Sequence, residues 1–291
     1  MPSFSEIFTF SFIFSYLSAA KVYAGPSSVL VFYIQKMKKI LKNIFFKIWY
    51  WYISTVDKKA EVTFMNYGYS KNNYKIKLDE NDEKNRYYAQ LYNYIAGGAD
   101  IKGKDILEVG CGRGGGLSYI NRYLSPNSAT GLDLNKKAID FCKKYYSNEG
   151  LKFLQGNAQS LSFQDNTYDV VINVESSHRY SHMDRFLAEV YRVLKPGGYF
   201  LFADFRHENE LEELYAQLKT SNFILVKSEI ITPNVLEALK ISSTERENLV
   251  DKLVPKFLRG LGKNFAGTEG TAVYNKFATQ EFEYLFYILM K

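Results

Sequence analysis

The chain has 291 residues, 46% hydrophobic and 23% charged, with 24 Tyr and 22 Phe; this balance excludes disordered and collagen-like classes and suits one large domain or two small ones. Two cysteines, Cys111 and Cys142, exclude a disulfide framework, and no Cys/His spacing suggests a metal site. The net charge of +6 resides in residues 1–60, where eight lysines face Glu6 and Asp57, while the other 231 residues carry 29 basic and 29 acidic side chains, which excludes the basic folded surface of a nucleic-acid binder.

Two uncharged stretches open the chain, 7–20 and 22–35, parted by Lys21 and the Gly25-Pro26 break. Each is shorter than the roughly 20 residues a spanning helix needs. A signal peptide wants a positive leading region, and here the charge ahead of the apolar run is Glu6, although Val22-Tyr23-Ala24 fits a cleavage site. A start at Met37 is a third option, so residues 1–36 read as an apolar extension outside the body of the protein.

From Met37, the residues Ile40, Leu41, Ile44, Phe45, Ile48 and Tyr52 recur at helical spacing, with Lys38, Lys39, Lys42 and Lys47 mostly on other faces. Residues 37–64 therefore read as a basic amphipathic helical arm. The stripe over 37–53 fits a helix lying in a membrane interface. It fits equally a helix packed on the domain with solvated lysines. The reducing compartment implied by cysteine usage makes the expected location cytoplasmic, with peripheral membrane contact through 37–53.

Residues 65–291 form the expected domain. Strand candidates fall at 105–109, 129–134, 151–154, 168–174, 199–205, 223–230 and 282–290, with helical patterns between them. One helix is marked by Phe186, Leu187, Val190, Val193 and Leu194, ended by Lys195-Pro196-Gly197-Gly198. This alternation predicts a doubly wound α/β fold. Residues 232–275 break the pattern and suggest two helices inserted before the last strand. They form a cap over an acceptor pocket with Tyr67 and Tyr69 as a lid, or else pack as ordinary helices on the sheet.

The richest stretch runs from Asp105 to Gly116, Asp-Ile-Leu-Glu-Val-Gly-Cys-Gly-Arg-Gly-Gly-Gly. Gly110, Gly112 and Gly114 sit where a strand turns sharply into a helix and backbone must approach a ligand. The G-x-G-x-x-G spacing of Gly110, Gly112 and Gly115 alone is weak evidence for a dinucleotide. Glu108 tilts the choice, because its carboxylate repels a pyrophosphate but suits the ammonium of S-adenosylmethionine. Asp133, ending Gly131-Leu-Asp-Leu134, is placed to accept ribose hydroxyls from either cofactor.

Downstream come Gly156-Asn157-Ala158, Leu161-Ser-Phe163, Asp165-Asn-Thr-Tyr168-Asp169 and Val193-Leu-Lys-Pro-Gly-Gly198. This ordered set resembles the class I S-adenosylmethionine-dependent methyltransferases. The resemblance implies a Rossmann-like, mostly parallel seven-stranded sheet and a cofactor held by Glu108, Gly110, Gly112, Gly114, Asp133, Leu134, Asn157, Ala158 and Asn173. It places Asn157-Ala158 at the adenine, with Asn157 where the family usually has Asp. Further motifs are Trp49-Tyr-Trp-Tyr52, Met65-Asn-Tyr-Gly-Tyr69, Asn85-Arg86, Asn173-Val-Glu-Ser-Ser-His178, Phe257-Leu-Arg259 and Gly267-Thr-Glu-Gly-Thr271. These are similar to the mycobacterial phthiotriolone dimycocerosate O-methyltransferases, from about residue 44 to the end. That likeness implies an acceptor hydroxyl on a long polyketide-derived lipid.

Methyl transfer to an alcohol needs positioning and a base near neutral pKa. Of three histidines, His178 follows the fourth strand, and Asp204 ends the fifth, placed to orient an imidazole. His178 is then the base or a histidine that shapes the substrate site. His182 reads as a helix-start residue at the substrate side. Glu175 keeps carbon methylation open, because a carboxylate at this strand end also serves enzymes that stabilise cations. A methyltransferase fold acting only as a binding module is the other alternative, opposed by the intact Glu108, glycines and Asp133.

Overall fold

The computed structural model describes residues 52–53, 55–57, 59–72 and 74–291. Two units divide the chain, Met1–Val56 and Asp57–Lys291. The extension 1–36 and arm residues 37–51 lie outside the described residues, and residues 52–53 and 55–56 of the first unit are helical. The second unit begins at Asp57, ahead of the boundary expected at 65. Its cause is a buried ion pair: Asp57 is 3% exposed, accepts from the backbone N–H groups of Glu61 and Val62 at 2.9 Å each, and pairs with Arg113 at 2.8 Å.

In chain order the second unit runs α1 (Arg86–Ala96), β1 (Asp105–Val109), α2 (Gly115–Tyr123), β2 (Ser128–Asp133), α3 (Lys136–Tyr145) and β3 (Leu151–Gln155). It continues with β4 (Tyr168–Val174), α4 (Met183–Val193), β5 (Leu194–His207), α5 (Leu211–Thr220) and β6 (Ile224–Ile230). Helices α6 (Thr232–Ile241), α7 (Ser243–Leu253), α8 (Arg259–Ala266) and α9 (Ala272–Ala278) precede β7 (Phe282–Met290). The sheet order is β3-β2-β1-β4-β5-β7-β6, with β7 antiparallel to both of its neighbours and the pairs among β1–β5 parallel.

Central strands with both faces covered read as continuous apolar runs, and β1 and β4 do. Side-chain alternation splits them between two cores: Ile106, Ile172 and Leu201 join one, Leu107, Val171, Phe200 and Phe202 the other. Helix α4 buries Phe186, Leu187, Val190 and Val193 as its stripe predicts. Strand β5 is longer than expected at its start, because Leu194 pairs with Tyr168 across a register shift before Val170 and Tyr199 pair. The cap has four helices where two were expected. The apolar run ending in Phe257 and Leu258 is broken at Pro255, so α7 stops at Leu253 and α8 starts at Arg259.

Because β1, β2, β4 and β5 are parallel, their carboxyl ends share one edge of the sheet. That edge carries Gly110, Asp133, Glu175 and Asp204, where open α/β sheets bind ligands.

Candidate active site

On the β1–β2 side, the turn into α2 is left-handed at Gly110 (φ +80°), Gly112 (φ +53°) and Gly114 (φ +76°), which glycine adopts without steric cost. A Cβ on Gly110 would stand 2.0 Å from Ser176 Oγ, whereas at Gly112 the nearest atom is Met65 Sδ at 3.5 Å. The loop is therefore clamped at one glycine and open at the next. Helix α1 closes on α2 so tightly that a Cβ on Gly116 would lie 1.9 Å from the Tyr92 ring.

Asp133 joins this loop. Its Oδ2 accepts from the Gly112 N–H at 2.9 Å and its Oδ1 from the Asn135 N–H at 2.8 Å. Each carboxylate oxygen keeps a further lone pair for a ligand hydroxyl. Leu134, beside it, is 64% exposed and offers an apolar face. Glu108 is fully buried in β1; its Oε1 accepts from the Tyr92 hydroxyl at 2.6 Å and its Oε2 has no partner. Burial pushes its pKa up to about 7, against the pull of Tyr92. A buried carboxylate oxygen without a donor beside an open glycine turn fits the ammonium of S-adenosylmethionine.

Asn173 is also fully buried, donating through Nδ2 to the Val109 carbonyl at 2.7 Å and to the Tyr180 hydroxyl at 3.2 Å. It braces the β1 end from below. Ala158 is buried and Asn157 is exposed, its Oδ1 accepting from the Gln159 N–H at 3.0 Å. His182 is exposed ahead of α4, its backbone N–H donating to Gln159 Oε1 at 2.7 Å.

On the β4–β5 side, His178 Nδ1 lies 2.8 Å from Asp204 Oδ1, and the His178 backbone N–H donates to Asp204 Oδ2 at 2.9 Å. Ser177 Oγ also donates to Oδ2, at 2.6 Å, and Arg206 pairs with it at 3.1 Å. Burial raises the Asp204 carboxyl, but the charges of His178 and Arg206 and these donors hold it below its ordinary range. Burial lowers the His178 pKa from 6.5, and Asp204 only partly offsets it. Arg179 Nε–H donates to His178 Nε2 at 3.1 Å. An acceptor at Nδ1 and a donor at Nε2 fix the neutral tautomer with its proton on Nδ1. The expected His–Asp pair is present.

Glu175, the residue after β4, has φ +48°, a left-handed conformation that costs a side-chain-bearing residue about 1–3 kcal/mol. Its Oε1 accepts from the Tyr67 N–H at 2.7 Å and the Tyr284 hydroxyl at 2.9 Å. Burial pushes its pKa up to about 8 despite these donors. Tyr67 thus stands at the site, its ring packed on Phe205 and Phe277 and its carbonyl accepting from Arg246. Tyr69 does not join it: at 3% exposed and stacked on Tyr94 at 4.2 Å, it is a core side chain where a lid was expected. Sequence reading missed Tyr92, Ser177, Arg206, Arg246 and Tyr284, whose roles come from distant packing and carry no local spacing.

Residues 107–202 match a family model described as a methyltransferase domain. Over 249 residues, 84% of this chain and 92% of the relative, the sequence is 41% identical to the phthiotriol/phenolphthiotriol dimycocerosates methyltransferase of Mycobacterium tuberculosis. It is 40% identical to the fatty-acid O-methyltransferase of Mycolicibacterium smegmatis, covering 84% and 89% of the two chains. Among solved structures, the cyclopropane synthase MmaA2 from Mycobacterium tuberculosis aligns with TM-score 0.55 at 15% identity, over 73% of this chain and 87% of that one, a likeness of fold.

Proposed function

Because the chain belongs to the methyltransferase family that includes the phthiotriol/phenolphthiotriol dimycocerosates methyltransferases, we propose that it methylates a hydroxyl oxygen of a lipid or polyketide-like acceptor. The observation that carries this reading is the His178–Asp204 pair at the strand edge, with Nδ1 to Oδ1 at 2.8 Å. S-adenosylmethionine, when bound, supplies an electrophilic methyl group. Glu108, the open turn at Gly112, Asp133 and Leu134 are the residues that would hold it, with Asn157 and Ala158 at the adenine end. His178 Nε2 takes the acceptor proton, and the ionised Asp204 steadies the imidazolium that forms. Tyr67 and the cap helices enclose the acceptor, and His182 lies at the outer rim.

Carbon methylation would need Glu175 as an anion facing a cationic intermediate. Its pKa near 8 and the two donors already on Oε1 speak for a positioning carboxyl instead. Incubation with methyl-labelled cofactor and a lipid extract tests the reading. The expected product carries the label in a methyl ether cleavable at oxygen, and label in a carbon–carbon bond would overturn it.

The lysine-flanked stripe over 37–53 supports peripheral attachment to an anionic membrane, where nearby lysines contribute about 1 kcal/mol each. Among the described residues no helix is long and apolar enough to cross a membrane. Removing residues 1–51, which leaves Asp57 on Arg113, should abolish co-sedimentation with anionic vesicles. Unchanged co-sedimentation would end this part of the proposal.

A further inference from the structure

His178 has a neighbour that a free base would not need. Its Nε2, the nitrogen that must receive the acceptor proton, already accepts the Arg179 Nε–H at 3.1 Å. Since Nδ1 faces Asp204 at 2.8 Å, both ring nitrogens are occupied. Burial raises the carboxyl of Asp133 at the end of β2, and the Arg179 charge is among the influences that lower it. One guanidinium thus bears on the proposed ribose acceptor and on the proposed base. The 3-10 turn Ser177–Arg179 that carries it comes two residues after β4, and β4 lies between β2, which ends in Asp133, and β5, which carries Asp204, in the sheet order.

We propose that Arg179 is a latch on His178: its Nε–H caps the imidazole lone pair and keeps the base silent until a nucleoside ligand seated at Asp133 displaces the guanidinium. The consequence for proton affinity has a definite sign. Protonating Nε2 requires breaking the Arg179 contact and bringing two cations together, so the latch holds the imidazole below its ordinary range, in the direction that burial also pushes it. Among the described residues the other charged groups around the ring are Asp204 and Arg206 from β5, with Glu175, just after β4, feeling the Asp204 charge. Release of Arg179 leaves Asp204 to dominate, and the base strengthens when the site is filled.

The inference rests on His178 being the base of the proposed reaction, and the test keeps the two apart because it reads protonation without turnover. The chain has three histidines, so each imidazole is resolvable by NMR titration, with His182→Asn and His207→Asn used for assignment. In the full chain, Arg179→Gln should raise the His178 titration by about one unit, equivalent to tenfold in proton affinity. Arg179→Lys, which keeps the charge and is tolerated if Gln is not, should retain much of the depression. S-adenosylhomocysteine should raise the wild-type titration toward that of Arg179→Gln and leave the variant unmoved. A His178 titration unaltered in Arg179→Gln, or unaltered by S-adenosylhomocysteine in the wild type, would overturn the latch.

Discussion

At the end of β2 the hydrogen bonds that set the Asp133 carboxylate are short-range, from the Asn135 N–H two residues away and the Gly112 N–H at 21 residues. At the ends of β4 and β5 the reach is different, with Glu175 held by Tyr67 and Tyr284 across 108 and 109 residues. The proposed cofactor half is a backbone device, made of glycine conformations and N–H groups. The proposed acceptor half is a side-chain device, in which Asp204, His178, Arg179 and Arg206 hold one another at β5 and the turn after β4, and Glu175 is held by Tyr284 of β7. A backbone device tolerates few substitutions and does one task. A side-chain device can be retuned one residue at a time, which suits the half that meets the variable partner.

Removing the His178 imidazole should separate the halves most sharply. His178→Ala is expected to lower kcat by about 10²–10⁴-fold while calorimetry shows cofactor affinity little changed. The acid limb of kcat/KM should lie below about 6.5, because burial lowers this imidazole from its ordinary value. If Glu175→Gln proves far more damaging than His178→Ala, the roles within the acceptor half are reversed and carbon methylation returns.

Asp133→Ala is the matching cut on the other side. It should weaken cofactor binding by about 1–3 kcal/mol, since the ribose hydroxyls and two backbone donors lose their acceptor, and leave turnover at saturating cofactor much less affected. Equal loss in both parameters would mean that the halves are not separable.

Gly116→Ala probes the rigidity of the backbone device. Its Cβ would sit 1.9 Å from the Tyr92 ring, so denaturant melts should show a loss of about 1–3 kcal/mol from overpacking. Because Tyr92 also donates to Glu108, cofactor affinity should fall alongside stability.

The last contrast is electrostatic. Burial raises the Glu175 carboxyl to about 8, against an unfolded value near 4.3. Between those values the folded chain binds more protons than the unfolded one, so stability falls as pH rises from about 4.3 to about 8 and is level beyond. Glu108, pushed up to about 7, adds to the same slope. Glu175→Gln should flatten the dependence of melting temperature on pH and make the protein relatively more stable at pH 8. An unaltered slope would show that Glu175 is ionised throughout.

What the sequence determined by itself was whatever depends on near neighbours. Strands 105–109, 168–174 and 282–290 have the bounds their apolar runs predict, and the glycine turn with Asp133 is legible because a left-handed turn and a following acid are local events. His178 and Asp204 were legible one at a time, each as a polar residue at a strand end. Their pairing, the unpartnered oxygen of Glu108, the core position of Tyr69 and the break of the cap into α6–α9 were decided by the tertiary structure. Each depends on which strands lie side by side and on which distant side chains fill the space left at that edge, and no spacing along the chain encodes that. The Arg179 contact on His178 belongs with them. Adjacent in sequence, the two residues meet head to ring only because Asp204 on a separate strand turns the imidazole toward the guanidinium.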